Sequence, residues 1–383
     1  MISPPSLPEQ LKQLIATPSI SGTTPELDMS NRGVIDLLAG WLEDSGFEVK
    51  ILAIPDHPGK FNLIATLGSG TGGLVLSGHS DTVPFDAGQW NTDPFKLKEA
   101  DGRYYGLGIS DMKSFFGFAI EAARSFDPRK FQHPLIILAT ADEETSMSGA
   151  KALTAQDLSQ GRFAVIGEPT GLHPVRQHKG ILMEAIKLRG QSGHSSDPRF
   201  GNNALEGMHE VIGALLKFRH ELQQQHQNPA FGVPVPTLNL GHIHGGDNPN
   251  RICGECELHI DLRPLPGMAL EPLRAALREQ VLDIARARQL ECEFEMLFAG
   301  INAMQTSATS PIVTAAEALT GHASETVAFG TEGPYLNHMG IDTLILGPGD
   351  IDQAHQPDEF LKLDRIEPTL ILLKQLIQQF CLQ

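Results

Sequence analysis

The chain has 383 residues, 41% of them hydrophobic and 20% charged, a balance that suits a globular enzyme long enough for two domains with cores of their own. Its formal charge of -17, from 29 basic against 46 acidic residues, argues against a protein that tracks nucleic-acid phosphates and leaves cations and small molecules as the expected partners. Met1–Ser6 has no basic or apolar leader pattern and no apolar stretch reaches membrane length, so the expected location is cytoplasmic, with no membrane partner.

From about residue 8 to 180 strand and helix patterns alternate. The first apolar run to stand out, Leu74–Gly78, leads into His79, Ser80 and Asp81. A helix is predicted over 112–125, with apolar Phe115, Phe116, Phe118, Ala119, Ile120 and Ala122; on its own, Asp111 before it reads as an N-cap. The run Leu135–Thr140 leads to Glu143 and Glu144, and Phe163–Gly167 leads to Glu168. Short apolar runs bounded by glycine read as buried parallel strands, whose carboxyl ends are where an α/β sheet places its ligands. The middle segment then changes character. Strand Ile181–Gly190, helix Asn202–Gln225, strands Thr237–His244 and Cys256–Arg263, helix Leu270–Arg288 and strand Glu291–Phe298 follow the β-α-β-β-α-β order of a ferredoxin-like unit. The α/β pattern resumes with helix Ser310–Leu319, the strand Thr343–Leu346 before Asp350, Asp352 and His355, and helix Glu367–Phe380. The expected fold is therefore α/β, with a catalytic domain over 1–180 and 299–383 and a ferredoxin-like domain, 181–298, inserted into it. The crossings near 180 and 298 form a natural hinge.

Two motifs lead elsewhere and fail on context. Gly68-Ser69-Gly70-Thr71-Gly72-Gly73 matches a dinucleotide fingerprint in letters, but a strand follows it where a helix is required, so a tight turn between strands is expected. Cys253 and Cys256 form a C-x-x-C within an alternating strand pattern; three apart on a strand, they face opposite sides, which makes them structural rather than metal-binding or redox-active.

The strand-end residues have metal-ligand chemistry. His79 and Asp81, two apart on an extended segment, point the same way, and a ligating imidazole usually hands its second N–H to a carboxylate. Glu143 and Glu144 are adjacent and diverge, so that one can ligate while the other stays free as a base. These residues stand in the words Ser77-Gly78-His79-Ser80-Asp81-Thr82-Val83-Pro84, Gly106-Leu107-Gly108-Ile109-Ser110-Asp111-Met112-Lys113, Ala141-Asp142-Glu143-Glu144-Thr145, Gly167-Glu168-Pro169-Thr170 and Gln191-Ser192-Gly193-His194-Ser195-Ser196. In that order they resemble the co-catalytic zinc metallopeptidase family of aminoacylases, carboxypeptidases and N-acyl-amino-acid deacylases, over essentially the whole chain.

The resemblance implies a zinc-peptidase-like three-layer catalytic domain and an inserted lid and dimerisation domain. It implies two Zn²⁺ per subunit, with Co²⁺ able to substitute: one ion held by His79 and Glu168, the other by Glu144 and His355, and Asp111 between them. Asp81 would orient His79, and Glu143 would act as general acid–base. His194 would reach the site of the other subunit of a homodimer and help hold an oxyanion. The implied substrate is a small-molecule N-acyl amino acid. Ala16-Thr17-Pro18-Ser19-Ile20-Ser21, Leu238–Gly246 and Gln353–Glu359 point within the family to removal of acetate from N2-acetyl-L-ornithine, a step of arginine biosynthesis. The alternative is another amidohydrolase of the family, a succinyl-diaminopimelate desuccinylase or an N-acetylcitrulline deacetylase. For such a substrate Asn250 and Arg251 are candidates for the α-carboxylate, since a guanidinium matches it bidentately, and Glu332 for the distal ammonium.

Overall fold

The computed structural model of the protein describes residues 4–383. The chain divides into two compact units. One runs to Arg176 and resumes at Gln305–Glu325 and Thr331–Gln383; the other comprises Gln177–Met304 and Thr326–Gly330.

The first unit is built on a mixed sheet whose middle strands run in the order Leu135–Thr140, Gly73–His79, Gly161–Pro169, Asp342–Gly347, all parallel. Leu135–Thr140 and Gly73–His79 are buried at every position, which explains why they read as unbroken apolar runs. Phe61–Leu67 and Glu48–Ala53 extend the sheet antiparallel. The glycine-rich turn at 68–73 is therefore not a hairpin: Leu135–Thr140 lies between the strands it joins, and Gly68, Gly70 and Gly72 take positive φ to make the detour. Helix Ser114–Ala123 buries nine of its ten residues, and its phenylalanines contribute about 1.5–3 kcal/mol each by leaving water. It begins at Ser114, later than the pattern predicted, and no side chain caps it. Its Phe115 ring packs where Gly167 has no side chain; a Cβ there would come within 2.0 Å of the ring. That contact fixes the strand one residue before Glu168.

The second unit has the β-α-β-β-α-β order, with its antiparallel strands arranged Thr237–Gly245, Glu255–Arg263, Ile181–Arg189, Glu291–Ile301. Alternation decides its faces: Cys256, Leu258, Ile260 and Leu262 are buried while Glu257, His259, Asp261 and Arg263 are partly exposed. Helices Ala204–Gln225 and Leu270–Ala287 share the same apolar cluster, and Asn203 caps the first by accepting from the N–H groups of Leu205 and Glu206. Glu184 is fully buried but held by Arg274 at 2.9 Å and Arg278 at 2.7 Å. The cysteine geometry differs from expectation. The strand starts at Glu255, so Cys253 lies before it, and both sulfurs are buried in one cluster instead of on opposite faces. The Cys253 thiol donates to the Glu255 carbonyl, and burial pushes the Cys256 thiol up to about 11.

Candidate metal centre

Three carboxyl-terminal strand ends of the first unit deliver donors to one place. His79 closes its strand opposite Thr140, from which the chain continues through the turn carrying Glu143 and Glu144; Glu168 lies near the end of the next strand. The ligand atoms of His79, Glu143 and Glu168 lie within 4.8 Å of one another, as do those of His79, Asp111 and Glu144. His79 Nε2 is 3.1 Å from Asp111 Oδ1, and His355 Nε2 is 3.0 Å from Glu144 Oε2 and 3.6 Å from Asp111 Oδ2. Asp111 thus stands between the two histidines instead of capping a helix. His355, on a loop with φ of 59°, is the exposed member of the group, whereas Asp350 in the same loop turns away to Lys362.

The electrostatics call for a cation. Burial, then the charge of Glu168, pushes the Glu143 carboxyl well above the usual range; burial and Asp111 do the same to Glu168. The carboxylates shift the histidines in the same direction. The hydrogen bond to Glu144 raises His355 to about 9, and although burial opposes it, His79 is held well above its ordinary value by Asp111, Glu168 and Asp81. The cluster of carboxyls thus favours positive charge at both imidazoles, the position a bound cation would share. Glu144 Oε1 is buried without a hydrogen-bond partner, as an atom intended for a metal would be. The residues fit divalent ions.

The supporting residues depart from expectation in three respects. His79 Nδ1 lies 3.1 Å from the backbone carbonyl of Asp81 and 3.7 Å from its carboxylate, whose Oδ2 instead accepts from Glu144 N–H at 3.2 Å. Asp81 therefore braces the imidazole mainly through its main chain and ties it to the Glu144 turn. Glu332 is 2% exposed and accepts from Thr140 at 2.8 Å, a buried group of the wall and not one open to a substrate ammonium. Burial pushes it up to about 7. Glu359, given no role from sequence, organises the Asp111 loop: Oε1 accepts from the N–H groups of Ser110 and Asp111, and Oε2 from that of Gly108. Its one sequence signal is its place in the word that holds His355.

In the second unit His194, Asn250 and Arg251 come together. Ser195 N–H donates to the Asn250 carbonyl, and His194 bridges to Arg251 along the backbone. The exposed His194 ring is held at Nδ1 by Ser196, whose N–H lies 3.2 Å and whose Oγ lies 2.8 Å from that nitrogen. Arg251 pairs with Asp247, so a carboxylate ligand would have to exchange with that partner. Among the described residues no helix is long and apolar enough to cross a membrane.

The chain is 51% identical over 378 residues to an acetylornithine deacetylase of Proteus mirabilis, covering 99% of this chain and 97% of that one. Its fold is similar to that of aminopeptidase PepT from Bacillus cereus, with a TM-score of 0.75, 19% identity and 98% of each chain covered. A dinuclear metal-binding peptidase of Bacillus subtilis matches with a TM-score of 0.65 and 16% identity over 98% of each chain. The profile of Peptidase family M20/M25/M40 matches residues 75–379, and the chain belongs to that family.

Proposed function

We propose that the protein is a metal-dependent amidohydrolase that converts N2-acetyl-ornithine and water to ornithine and acetate. The reaction class is supported by Glu143, a buried carboxyl among metal-type donors that burial and Glu168 push well above the usual range, and by membership of Peptidase family M20/M25/M40. The substrate reading is supported by the 51% identity to an acetylornithine deacetylase over nearly the whole chain.

His79 and Glu168 would hold one divalent ion, Glu144 and His355 the other, with Asp111 shared between them; zinc is the proposed metal and cobalt a substitute. When bound, such ions polarise an amide carbonyl and lower the pKa of water. Glu143 takes a proton from the attacking water and delivers it to the amine as the C–N bond breaks, so one carboxylate serves both halves of the reaction. Its ligand atoms lie as near the centre as those of His79 and Glu168, and we assign it the role of base because Glu144, its neighbour, pairs with His355. His194 donates Nε2–H to the developing oxyanion, and we propose that it does so from the partner of a homodimer, the second unit acting as lid and dimerisation domain. Asn250 and Arg251 bind the substrate α-carboxylate.

Turnover of N-acetyl-ornithine, N-acetyl-citrulline, N-acetyl-methionine and N-succinyl-diaminopimelate by metal-loaded protein tests this reading. The highest kcat/KM is expected for N-acetyl-ornithine. A preference for the succinylated or the neutral substrate would overturn the specificity, and hydrolysis of none would overturn the function.

A further inference from the structure

The turn that carries Glu143 and Glu144 is gripped from behind. Asp142, one residue earlier, is 4% exposed and has φ of 56°, a left-handed conformation uncommon outside glycine but tolerated by aspartate. Its carboxylate is fully engaged: Oδ1 accepts from Lys60 Nζ at 2.7 Å and Ser21 Oγ at 3.0 Å, and Oδ2 from Ser148 Oγ at 2.9 Å. Its carbonyl accepts from the N–H groups of Ser146 and Met147, closing the turn. Lys60 is itself 4% exposed, and its three ammonium donors all have acceptors, the other two being Asp28 Oδ1 at 2.6 Å and the Met29 carbonyl at 2.8 Å. A buried ammonium with no spare donor has little freedom to move. The loop that carries Ser21 and Asp28, and Lys60 from elsewhere in the chain, therefore meet Ser148 around Asp142 behind the turn that carries Glu143 and Glu144.

We infer that Lys60, acting through Asp142, is a positioning residue that sets where Glu143 and Glu144 stand. The inference rests on the roles proposed above for those two glutamates. Lys60 touches no reacting atom; removing it frees one anchor of the turn and leaves the Asp142 charge buried without its cation. A displacement of the base by a fraction of an ångström to an ångström suffices to lower turnover by up to about a hundredfold. Substrate carboxylate binding involves other residues and is left intact.

The test compares Lys60→Met, Lys60→Arg, Ser148→Ala, Ser21→Ala and, in parallel, Glu143→Gln, all measured per folded molecule with saturating metal. For Lys60→Met, kcat is expected to fall by about tenfold to a hundredfold with KM changed by less than about twofold, and Lys60→Arg, which keeps the charge, to recover part of it. Metal titration should show weaker binding at the ion held by Glu144 and unchanged binding at the ion held by His79 and Glu168. Wild-type kcat in folded Lys60→Met, or equal weakening of both ions, would overturn the inference. Should Lys60→Met not fold, the serine variants decide: a several-fold loss of kcat in each supports the device, and wild-type kcat in both overturns it. If Glu143→Gln keeps full activity, the reading of the base fails; if it is inactive while the Lys60 and serine variants behave as wild type, only this inference fails.

Discussion

Glu359→Gln changes a single atom and probes how the Asp111 loop is held. The carboxylate receives three N–H groups on two oxygens, two on Oε1 and one on Oε2. A glutamine oxygen can still accept from Ser110 and Asp111, but its NH₂ then faces the N–H of Gly108, leaving a buried donor unpaired at a cost of about 1–3 kcal/mol. Burial pushes the Glu359 carboxyl up to about 8 against these hydrogen bonds, so the comparison is made above that pH, where the carboxylate is ionised and the two remaining bonds of the glutamine lose an ionic character worth about 1 kcal/mol each. The expected loss is about 3–5 kcal/mol in metal-free protein, read from urea unfolding in chelator. Because the same N–H groups orient Asp111, affinity for the ions should fall by about tenfold to a hundredfold, read by metal titration. Unfolding and metal titration curves superimposable on wild type would refute the reasoning, since no arrangement of a glutamine satisfies three donors there.

Further outcomes follow from the same geometry. Glu143→Gln should keep both ions while turnover falls by about a hundredfold or more, whereas Glu144→Ala should lose one ion; metal analysis showing the same content in both would contradict the division between base and ligand. His194→Ala should lower kcat and kcat/KM together, and mixing it with Glu143→Gln should restore part of the activity through heterodimers; confirmed subunit exchange without recovery would exclude action across a dimer. His178 is fully buried, and burial depresses its pKa from 6.5 to about 4, so between those values the unfolded chain holds a proton that the native chain refuses. Stability is therefore complete above pH 6.5 and declines as pH falls toward 4, by about 3 kcal/mol for this one group. His178→Gln should flatten that part of the pH–stability curve, and an unchanged slope would refute the assignment.

Much of this site is legible because its donors sit where apolar strands end. His79 ends a strand that is buried throughout and Glu168 lies near the end of one buried from Ala164 onward, and burial on both faces is what makes such strands visible as unbroken apolar words. Asp111 shows the limit of local reading: before a helical pattern it looks like a cap, and only the fold reveals that the helix starts at Ser114 and that the carboxylate faces two histidines. The partners of Glu359 and Lys60 are not legible locally, because they lie 248 to 251 residues away in one case and, for Asp142, on the turn after the neighbouring strand in the other. For the cysteines only the facing argument differs: Cys253 precedes the strand that starts at Glu255, so strand alternation does not govern it and both cysteines share one buried cluster. Glu332 was expected to face a substrate ammonium because its acidity was visible in the sequence; its burial beside Thr140 was not.

The most direct test of metal-dependent amide hydrolysis is to follow acetate release from N2-acetyl-ornithine alongside metal content in the same preparation. Two divalent ions per chain, equal yields of acetate and ornithine, complete loss of turnover on exhaustive chelation and its return with Zn²⁺ or Co²⁺ are predicted. Undiminished acetate release from protein shown by elemental analysis to be free of metal would contradict the account.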